Sequence, residues 1–287
     1  MKQFDPIRHL RILNNRGKLA LFIGAGISRG CNLPDWNTLL DSLMNKAFPN
    51  QTNHKIETTK NFSAISRARL IKSKLGDNFH RTIAEELYKN EYGPFKAVME
   101  IVRSGVRRIC TYNFDDLLEE AYATEKFKTH SIVDGENFNN NFRGTAIYHP
   151  HGILPSNATF QELRAARIVF SEEEYHKLYS TPYSWANLIQ LHLLMSHTCL
   201  FIGASMQDPN IRRLLDTFVS LKFTHRHYAV FRSPLYAVSI EEKPLARQAM
   251  LTLESDLSNL GVNPIWINTF DALPDLIKSI RNKKEKN

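Results

Sequence analysis

The apolar residues of this 287-residue chain fall into short runs that are separated by longer amphipathic stretches. Seven of the runs are strand-like, and the run from Leu19 to Ile23 is almost continuously apolar, a pattern typical of a buried parallel strand. The predicted strands are residues 19–23, 106–112, 129–133, 145–149, 198–203, 227–232 and 262–267.

Helical patterns lie between these strands, at residues 115–126, 209–222, 243–260 and 271–282. Alternation of this kind predicts an α/β fold, with a Rossmann-like parallel sheet and helices on both of its faces. In such sheets ligands bind at the carboxyl ends of the strands. We therefore expect the ligand-binding residues to follow the predicted strands.

Residues 50–100 interrupt the alternation. They carry helical patterns at 61–75 and 77–90 but no convincing strand. We expect a helical insert, or lid, within one domain that covers residues 1–287.

A second interruption covers residues 155–197. Ser171 and Glu174 have the spacing of a capping box, which predicts that a helix begins there. A further helix is predicted at 184–197. We expect this stretch to be a helical addition to the same domain.

Composition bounds the class of protein. With 43% hydrophobic residues the chain can bury one large core, or one core with a modest insert. It has no cationic, apolar leader and no apolar run that approaches the ~20 residues of a membrane helix. Three widely spaced cysteines argue against a disulfide framework and against a four-cysteine zinc site. We expect a cytoplasmic protein without a membrane segment.

The formal net charge is +8, and much of it lies in residues 67–74 and 281–287. Such runs form solvated faces, or they attract nucleic acid, an anionic cofactor or an acidic partner. Charge alone leaves these alternatives open.

The first motif with chemical content is LALFIGAGISRGCNLPDW, residues 19–36. Gly24 and Gly26 remove side chains where the backbone turns tightly and where a phosphate could approach. A helix that begins near Ile27 would direct free N–H groups and its positive dipole end at the same point. Gly30 comes four residues after Gly26, whereas the dinucleotide fingerprint has three. A phosphate cradle and a simple packing turn are both open.

The second motif is CTYNFDDLLEEAY, residues 110–122. Thr111, Asn113 and Asp115 alternate at a strand end, so we expect them on one side of the sheet edge. Asp115 and Asp116 can cap the following helix, a role that is compatible with ligand contact. The neutral amide of Asn113 can hold a water or a ribose hydroxyl without adding charge.

The third motif is YHPHGIL, residues 148–154. His151 follows a strand and precedes Gly152, which would let a ligand come near. Histidine titrates near neutrality and can accept a proton from a hydroxyl. We favour a functional role for His151, and for His149 we expect a structural bond to a backbone carbonyl.

The fourth motif is TCLFIGASMQDPNIRRLLDTF, residues 198–218. Here a strand ends in Gly203, and Ser205 follows two residues later. Ser205 either bonds a ribose or phosphate or closes the turn. Asp208 before Pro209 is typical of a helix start, and we favour this structural role for it.

The four motifs together resemble the sirtuin family. GAGIS and NLPDW within residues 24–36 are similar to the family's Gly-Ala-Gly-x-Ser and its Pro-Asp-aromatic loop. TYNFD at 111–115 is similar to Thr-Gln-Asn-Ile-Asp, HG at 151–152 to the catalytic histidine pair, and GAS at 203–205 to Gly-Thr-Ser. The resemblance runs from about residue 19 to the final strand near 267.

The resemblance implies NAD as the ligand and a role for each matched residue. Gly24, Ala25, Gly26 and Ser28 would hold the NAD phosphates, with Pro34 and Asp35 in a flexible cofactor loop. Asn113 would orient the nucleophile or the nicotinamide ribose, and Asp115 would contact NAD near the nicotinamide. His151 would act as general base on a ribose hydroxyl, and Gly203 and Ser205 would contact the adenosine side.

Departures from the sirtuin pattern indicate which branch of the family this chain resembles. Sirtuin deacetylases carry a zinc ribbon of paired cysteines after the HG motif, whereas residues 155–197 contain no cysteine. Asn37 stands where deacetylases usually have arginine, and Tyr112 replaces the glutamine. We expect no zinc, and the pattern argues against a protein deacetylase.

The pattern at 203–215 resembles the sirtuin-like domains of bacterial anti-phage systems, which hydrolyse NAD. This resemblance implies cleavage of the nicotinamide–ribose bond to nicotinamide and ADP-ribose, with NAD depletion leading to abortive infection. Constant NAD loss would kill the host, so we expect control by a partner or by assembly into a homo-oligomer. Relatives of this compact form work beside a HerA-type ATPase or an Argonaute, and we favour the first.

Two other functions stay open. The chain could bind NAD or ADP-ribose as a signal and serve as an assembly subunit without chemistry, although such a binder needs neither Asn113 nor His151. A nucleic-acid-acting subunit is also open, since Asp115, Asp116 and Glu119 form an acidic group, although without clear metal-site spacing. The sequence does not distinguish ADP-ribose from its cyclic form as the product.

Overall fold

A computed structural model of the chain describes residues 4–49, 61–92, 96–135 and 142–281. Its centre is a sheet of seven parallel strands in the order β3-β4-β2-β1-β5-β6-β7. The strands are β1 (Leu19–Ile23), β2 (Arg108–Thr111), β3 (Thr129–Ile132), β4 (Thr145–Tyr148), β5 (Thr198–Ile202), β6 (His227–Arg232) and β7 (Val262–Ile267). All seven predicted strands are confirmed, and the observed ones end a residue or two earlier in several cases.

Helices cover the connections. They are α1 (Pro6–Asn15), α2 (Gly26–Arg29), α3 (Trp36–Ala47), α4 (Ala64–Leu75), α5 (Phe79–Leu87), α6 (Lys96–Val102), α7 (Leu117–Thr124), α8 (Phe160–Ala165), α9 (Glu172–Ser180), α10 (Trp185–Ser196), α11 (Pro209–Ser220), α12 (Lys243–Asn259) and α13 (Leu273–Ser279). Short 3₁₀ turns, Gly76–Asn78 and Phe270–Ala272, precede α5 and α13.

Strand β1 is buried on both faces because successive side chains point to opposite sides. Leu21 and Ile23 belong to one apolar cluster, while Ala20 and Phe22 belong to another on the other face. The predicted sheet with helices on both faces is confirmed.

The strand order reverses at β1, which pairs with β2 on one side and with β5 on the other. Leu21 lies opposite Ile109 of β2 and Leu200 of β5. The chain extends the sheet first to one side of β1 and then to the other, which opens a crevice at the carboxyl ends of β1 and β5. All four motifs follow strands that end at this edge.

Helices lie in both stretches that interrupt the alternation. Helices α4 and α5 occupy the first, and residues 50–60 and 93–95 of that segment lie outside the described residues. Helices α8, α9 and α10 occupy the second. The capping box is confirmed, since the backbone N–H of Ser171 donates to Glu174 Oε2 at 2.8 Å.

Four helices, α1, α3, α6 and α8, were not predicted. Helices α1, α3 and α8 each begin with a local cap, for example Asp5 before Pro6 in α1. The predicted end of the last helix at 282 lies outside the described residues, which extend to Arg281. Among the residues described, no helix combines the length and the apolarity that crossing a membrane requires.

Candidate active site at the switch point of the sheet

Two glycine loops meet where β1 and β5 end. The N–H of Gly26 donates to the carbonyl of Gly203 at 2.9 Å, and a Cβ on Gly24 would lie 2.6 Å from the same carbonyl oxygen. Gly203 has φ +69, and its own Cβ would lie 2.6 Å from the nitrogen of Ile27. Close packing of the loops therefore requires glycine at these positions, whatever else the loops bind.

A cavity of about 560 Å³ opens beside these loops, a size that suits a small-molecule site. Its wall includes residues from each of the four motifs. The predicted site residues on the wall are Gly24, Ala25, Gly26, Pro34, Asp35, Asn113, Asp115, His151, Gly203 and Ser205. Ser28, the remaining one, is buried behind the wall on α2.

Ser28 connects two polar residues of the wall. The amide nitrogen of Asn113 donates to Ser28 Oγ at 2.7 Å, and Ser28 Oγ donates to Asp115 Oδ2 at 2.6 Å. This chain of bonds fixes which end of the Asn113 amide is nitrogen. Its oxygen, Oδ1, is left buried with no partner in the protein. Such an atom is ready to accept a hydrogen bond from a ligand or a water.

Asp115 is a buried carboxylate. Burial raises its pKa to about 6, against the opposing effect of the bonds from Ser28 and from the N–H of Leu117. The bond to Leu117 confirms that Asp115 caps α7. Asp116 occupies the N-cap position but binds elsewhere, since it accepts from the hydroxyl of Tyr88 at 2.8 Å.

His151 is buried at the cavity wall, and its Nε2 has no hydrogen-bond partner. Burial lowers its pKa, while the charge of Asp208 acts in the opposite direction. The imidazole lies between two aromatic rings, with centroid distances of 4.9 Å to Tyr112 and 5.9 Å to Tyr175. A neutral imidazole in this position can accept a proton from a group in the cavity.

Gly152 serves a different purpose from the one predicted. It has φ +83, and a Cβ there would lie 2.1 Å from the carbonyl oxygen of Arg167. The carbonyl of His151 accepts from the N–H of Val169 at 2.9 Å. Gly152 thus allows the backbone of residues 167–169 to pack against the turn that carries His151.

The expected bond from His149 to a backbone carbonyl was wrong. His149 is buried, and its Nε2 lies 2.9 Å from Glu119 Oε1. The hydroxyl of Ser131 also donates to Glu119. A carboxylate from α7 thus holds the histidine, because α7 packs beside β3 at this point.

The Pro34–Asp35 loop is held by the helix that follows it. Asp35 Oδ1 accepts from the N–H of Thr38 at 2.9 Å and so caps α3. This bond, more than the nearby charge of Arg29, lowers the pKa of Asp35. Ser205 Oγ accepts from the N–H of Gln207 at 3.3 Å, which closes the turn after β5.

The comparisons with known proteins agree with this geometry. A family model described as "SIR2-like domain" matches residues 107–253, more than half of the chain. The chain belongs to the SIR2-like domain family. The predicted sirtuin resemblance is confirmed at this level.

The relatives of this SIR2-like chain include NAD(+) hydrolases named ThsA. The protein from Enterococcus faecium is 23% identical over 93% of this chain and 56% of its own length. The protein from Bacillus cereus (strain MSX-D12) is 23% identical over 92% and 54%. "Defense-associated sirtuin 2" of Bacillus subtilis is 19% identical over 88% of this chain and 24% of its own length.

The chain thus spans about half the length of the hydrolases that it matches. A solved chain from a study of the mechanism and regulation of Sir2 enzymes aligns with 97% of this chain and 98% of its own length. The two are 14% identical, with a TM-score of 0.45.

Sequence reasoning missed part of the SIR2-like site. Tyr175 lines the cavity and its hydroxyl donates to the carboxylate of Asp208. Asp208 caps α11 as predicted, with the N–H of Ile211 at 2.9 Å, but it also faces the cavity. The N-terminal turn of α4, residues 63–65, forms another part of the wall. No local signal marks these residues, because the fold brings them from distant segments.

Within the described ranges, no group of three or more His, Cys, Asp or Glu side chains is arranged to hold a metal ion. The three acidic side chains of residues 115–119 do not converge on one point. Asp115 binds Ser28, Asp116 binds Tyr88 and Glu119 binds His149. Cys31, Cys110 and Cys199 are buried and form no disulfide.

Proposed function

We propose that this chain is an NAD glycohydrolase, which cleaves the nicotinamide–ribose bond to give nicotinamide and ADP-ribose. One observation carries the proposal. Two buried atoms without protein partners, the amide oxygen of Asn113 and Nε2 of His151, belong to residues that line one cavity at the switch point of a Rossmann-like sheet. The amide oxygen is a fixed hydrogen-bond acceptor, and the imidazole nitrogen is a base.

The reaction needs an oriented nucleophile more than an acid. Nicotinamide leaves as a neutral molecule, because the electrons of the C1′–N bond neutralise its ring nitrogen. The ribose carbon then carries positive charge, as in other glycosidic cleavages. A water held by the amide oxygen of Asn113 attacks this carbon and loses a proton. Orientation of that water is the contribution of Asn113.

His151 supplies the base in this scheme. Its Nε2 accepts a proton from the water or from a ribose hydroxyl, which requires the neutral imidazole. Because burial lowers its pKa, His151 is neutral at cellular pH. The rings of Tyr112 and Tyr175 limit the directions in which the imidazole can turn.

The remaining predicted residues have binding roles. Gly24, Ala25 and Gly26 place backbone on the wall for the pyrophosphate, and Gly203 and Ser205 do so for the adenosine side. Ser28 acts through Asn113 and Asp115 rather than by contact with the phosphates, because it lies behind the wall. Pro34 and Asp35 belong to the loop at the cavity mouth.

The names of the relatives support both the reaction and its setting. Proteins named NAD(+) hydrolase and defence-associated sirtuin are similar to this chain over most of its length. We extend the activity to this chain, and with it a role as an NAD-depleting effector against phage. Control by self-assembly or by a partner such as a HerA-type ATPase, with an Argonaute less favoured, belongs to the same proposal.

The test is nicotinamide release from NAD by the purified chain, alone and with the product of its neighbouring gene. Asn113→Ala and His151→Ala should each reduce release by at least 100-fold. Asn259→Ala and His176→Ala, at exposed positions, are the matched controls. Separation of the products distinguishes ADP-ribose from cyclic ADP-ribose.

Either of two outcomes contradicts the proposal. Release that survives both substitutions would place the chemistry elsewhere. NAD or ADP-ribose binding without release, with and without the partner, would favour the sensing subunit.

A further inference from the structure

The sheet edge opposite the cavity carries a row of basic side chains. Within two residues of the start of each of six neighbouring strands stands a lysine, an arginine or a histidine. In spatial order these are Lys128 (β3), Arg143 (β4), Arg108 (β2), Lys18 (β1), His197 (β5) and Arg226 (β6). We call these six residues the basic row.

The register of the sheet brings Lys18, His197 and Lys128 to one level. Arg143 and Arg226 lie one position from that level, and Arg108 lies two positions further along its strand. The carbonyl of Lys18 accepts from the N–H of Thr198, next to His197, at 3.0 Å. The carbonyl of Lys128 accepts from the N–H of Thr145 at 3.0 Å. Because neighbouring strands lie about 4.8 Å apart, six strands give the row a length of about 24 Å.

Little negative charge accompanies the row. In the described parts of the connections that enter these strands, the acidic residues are Glu125, which is ion-paired with Arg103 at 2.6 Å, and Asp134, which follows the carboxyl end of β3 at the opposite edge of the sheet. The pKa of His197 is lowered to about 4, first by burial and then by the charges of Lys18 and Arg108. His197 is therefore uncharged at neutral pH, and the positive charge of the row comes from its other five residues.

Helix dipoles do not account for the row. Basic residues favour the last turn of a helix, where they offset its negative end. Helices α1, α7, α10 and α11 end at this edge, and none has a basic residue in its last turn. The cations stand beyond the helices, at the strand starts.

We propose that the basic row binds the phosphate backbone of nucleic acid without sequence preference. Each strand of a duplex carries a phosphate about every 3.4 Å of helix axis, so a row of about 24 Å can contact several of them. Phe127 is 51% exposed between Lys126 and Lys128, where it can stack on an unpaired base. The surface lies away from the cavity, and the inference does not depend on the proposed reaction.

The test uses the full chain and fluorescein-labelled 24-nucleotide DNA, as a single strand and as a duplex, with single-stranded RNA as a third probe. Fluorescence anisotropy is measured as the salt concentration rises. Each neutralised phosphate should contribute about −0.9 to the slope of log K against log[salt] for duplex and about −0.7 for single strands. Changing Lys18, Lys128 and Arg226 together to Glu should weaken binding at least 30-fold and reduce the slope by about 2 to 3.

The matched control changes Arg232, Lys243 and Arg247 to Glu. These exposed cations lie at the other end of β6 and at the start of α12. The net charge changes by the same amount in the control variant as in the row variant. This variant should keep most of the wild-type affinity. Thermal unfolding of both variants, measured separately, shows that they are folded. Phe127→Ala should weaken single-strand binding several-fold more than duplex binding.

Three results would overturn the proposal. The wild-type chain could fail to bind any probe at 50 mM salt. The row variant could bind as tightly as the control, which would move the site to the basic residues 282–287 or elsewhere. Polyglutamate could compete as well as DNA at equal charge, which would indicate an acidic protein partner.

Discussion

The ring of Tyr175 stands edge-on to the imidazole of His151, with 5.9 Å between their centroids. Its hydroxyl donates to Asp208, which caps α11 and also lines the cavity. Tyr175 lies on α9, within the helical segment of residues 155–197. This segment therefore contributes directly to the surroundings of the proposed base.

We expect Tyr175 to be a positioning residue for His151. Tyr175→Phe keeps the ring and removes the bond to Asp208, so kcat should fall about 3- to 10-fold with little change in KM. Tyr175→Ala also frees the imidazole and should lower kcat by about 100-fold. The measurement is steady-state nicotinamide release. Equal losses in the two variants, or a loss confined to KM, would contradict the positioning role.

The second prediction concerns Ser28. Ser28→Ala removes the bond that anchors the Asn113 amide and one of the bonds that oppose the raised pKa of Asp115. We expect kcat to fall 10- to 100-fold and the acidic limb of the pH–rate profile to move upward. Cys31→Ala, another buried change close to α2, should leave the profile in place. An unchanged kcat in Ser28→Ala would show that the Asn113 amide needs no anchor.

Sequence patterns predicted the strands and the glycine loops because both depend on local rules. A strand buried on both faces must be apolar throughout, as in Leu19–Ile23. Two contacts escaped prediction because they join distant segments. Tyr175 and Asp208 are 33 residues apart in sequence. The predicted hydrogen-bond partner of His149 was wrong for a related reason, since only the packing of α7 brings Glu119 within reach of the imidazole.

The third prediction separates two glycines of one loop. A Cβ on Gly24 would lie 2.6 Å from the carbonyl oxygen of Gly203, whereas a Cβ on Gly30 would lie 3.3 Å from that of Ile27. Gly24→Ala should lower the free energy of unfolding by about 1–3 kcal/mol, because backbone must move. Gly30→Ala should change it by less than about 1 kcal/mol. Chemical denaturation of both variants tests the difference, and equal effects would contradict the close contact.

The last prediction follows from the buried carboxyl of Asp115, whose pKa is raised to about 6 from an ordinary 3.8. A group with a raised pKa stabilises the fold fully below its unfolded pKa and loses that contribution as the pH rises through its folded pKa. At pH 8 the ionised Asp115 therefore destabilises the fold. Asp115→Asn resembles the protonated acid and should raise the free energy of unfolding at pH 8 by up to about 3 kcal/mol.

The gain should shrink between pH 6 and pH 4 and disappear below the ordinary pKa of aspartate, where the wild-type carboxyl is also neutral. Denaturant unfolding at a series of pH values measures it, and Asp77→Asn, an exposed change, should give no such trend. The same Asp115 variant should release nicotinamide more slowly, since it lacks a negative charge near the developing cation. Greater stability together with slower cleavage would indicate that the charge is kept for function. A variant that is less stable than wild type at pH 8 would show that the ionised carboxylate supports the fold.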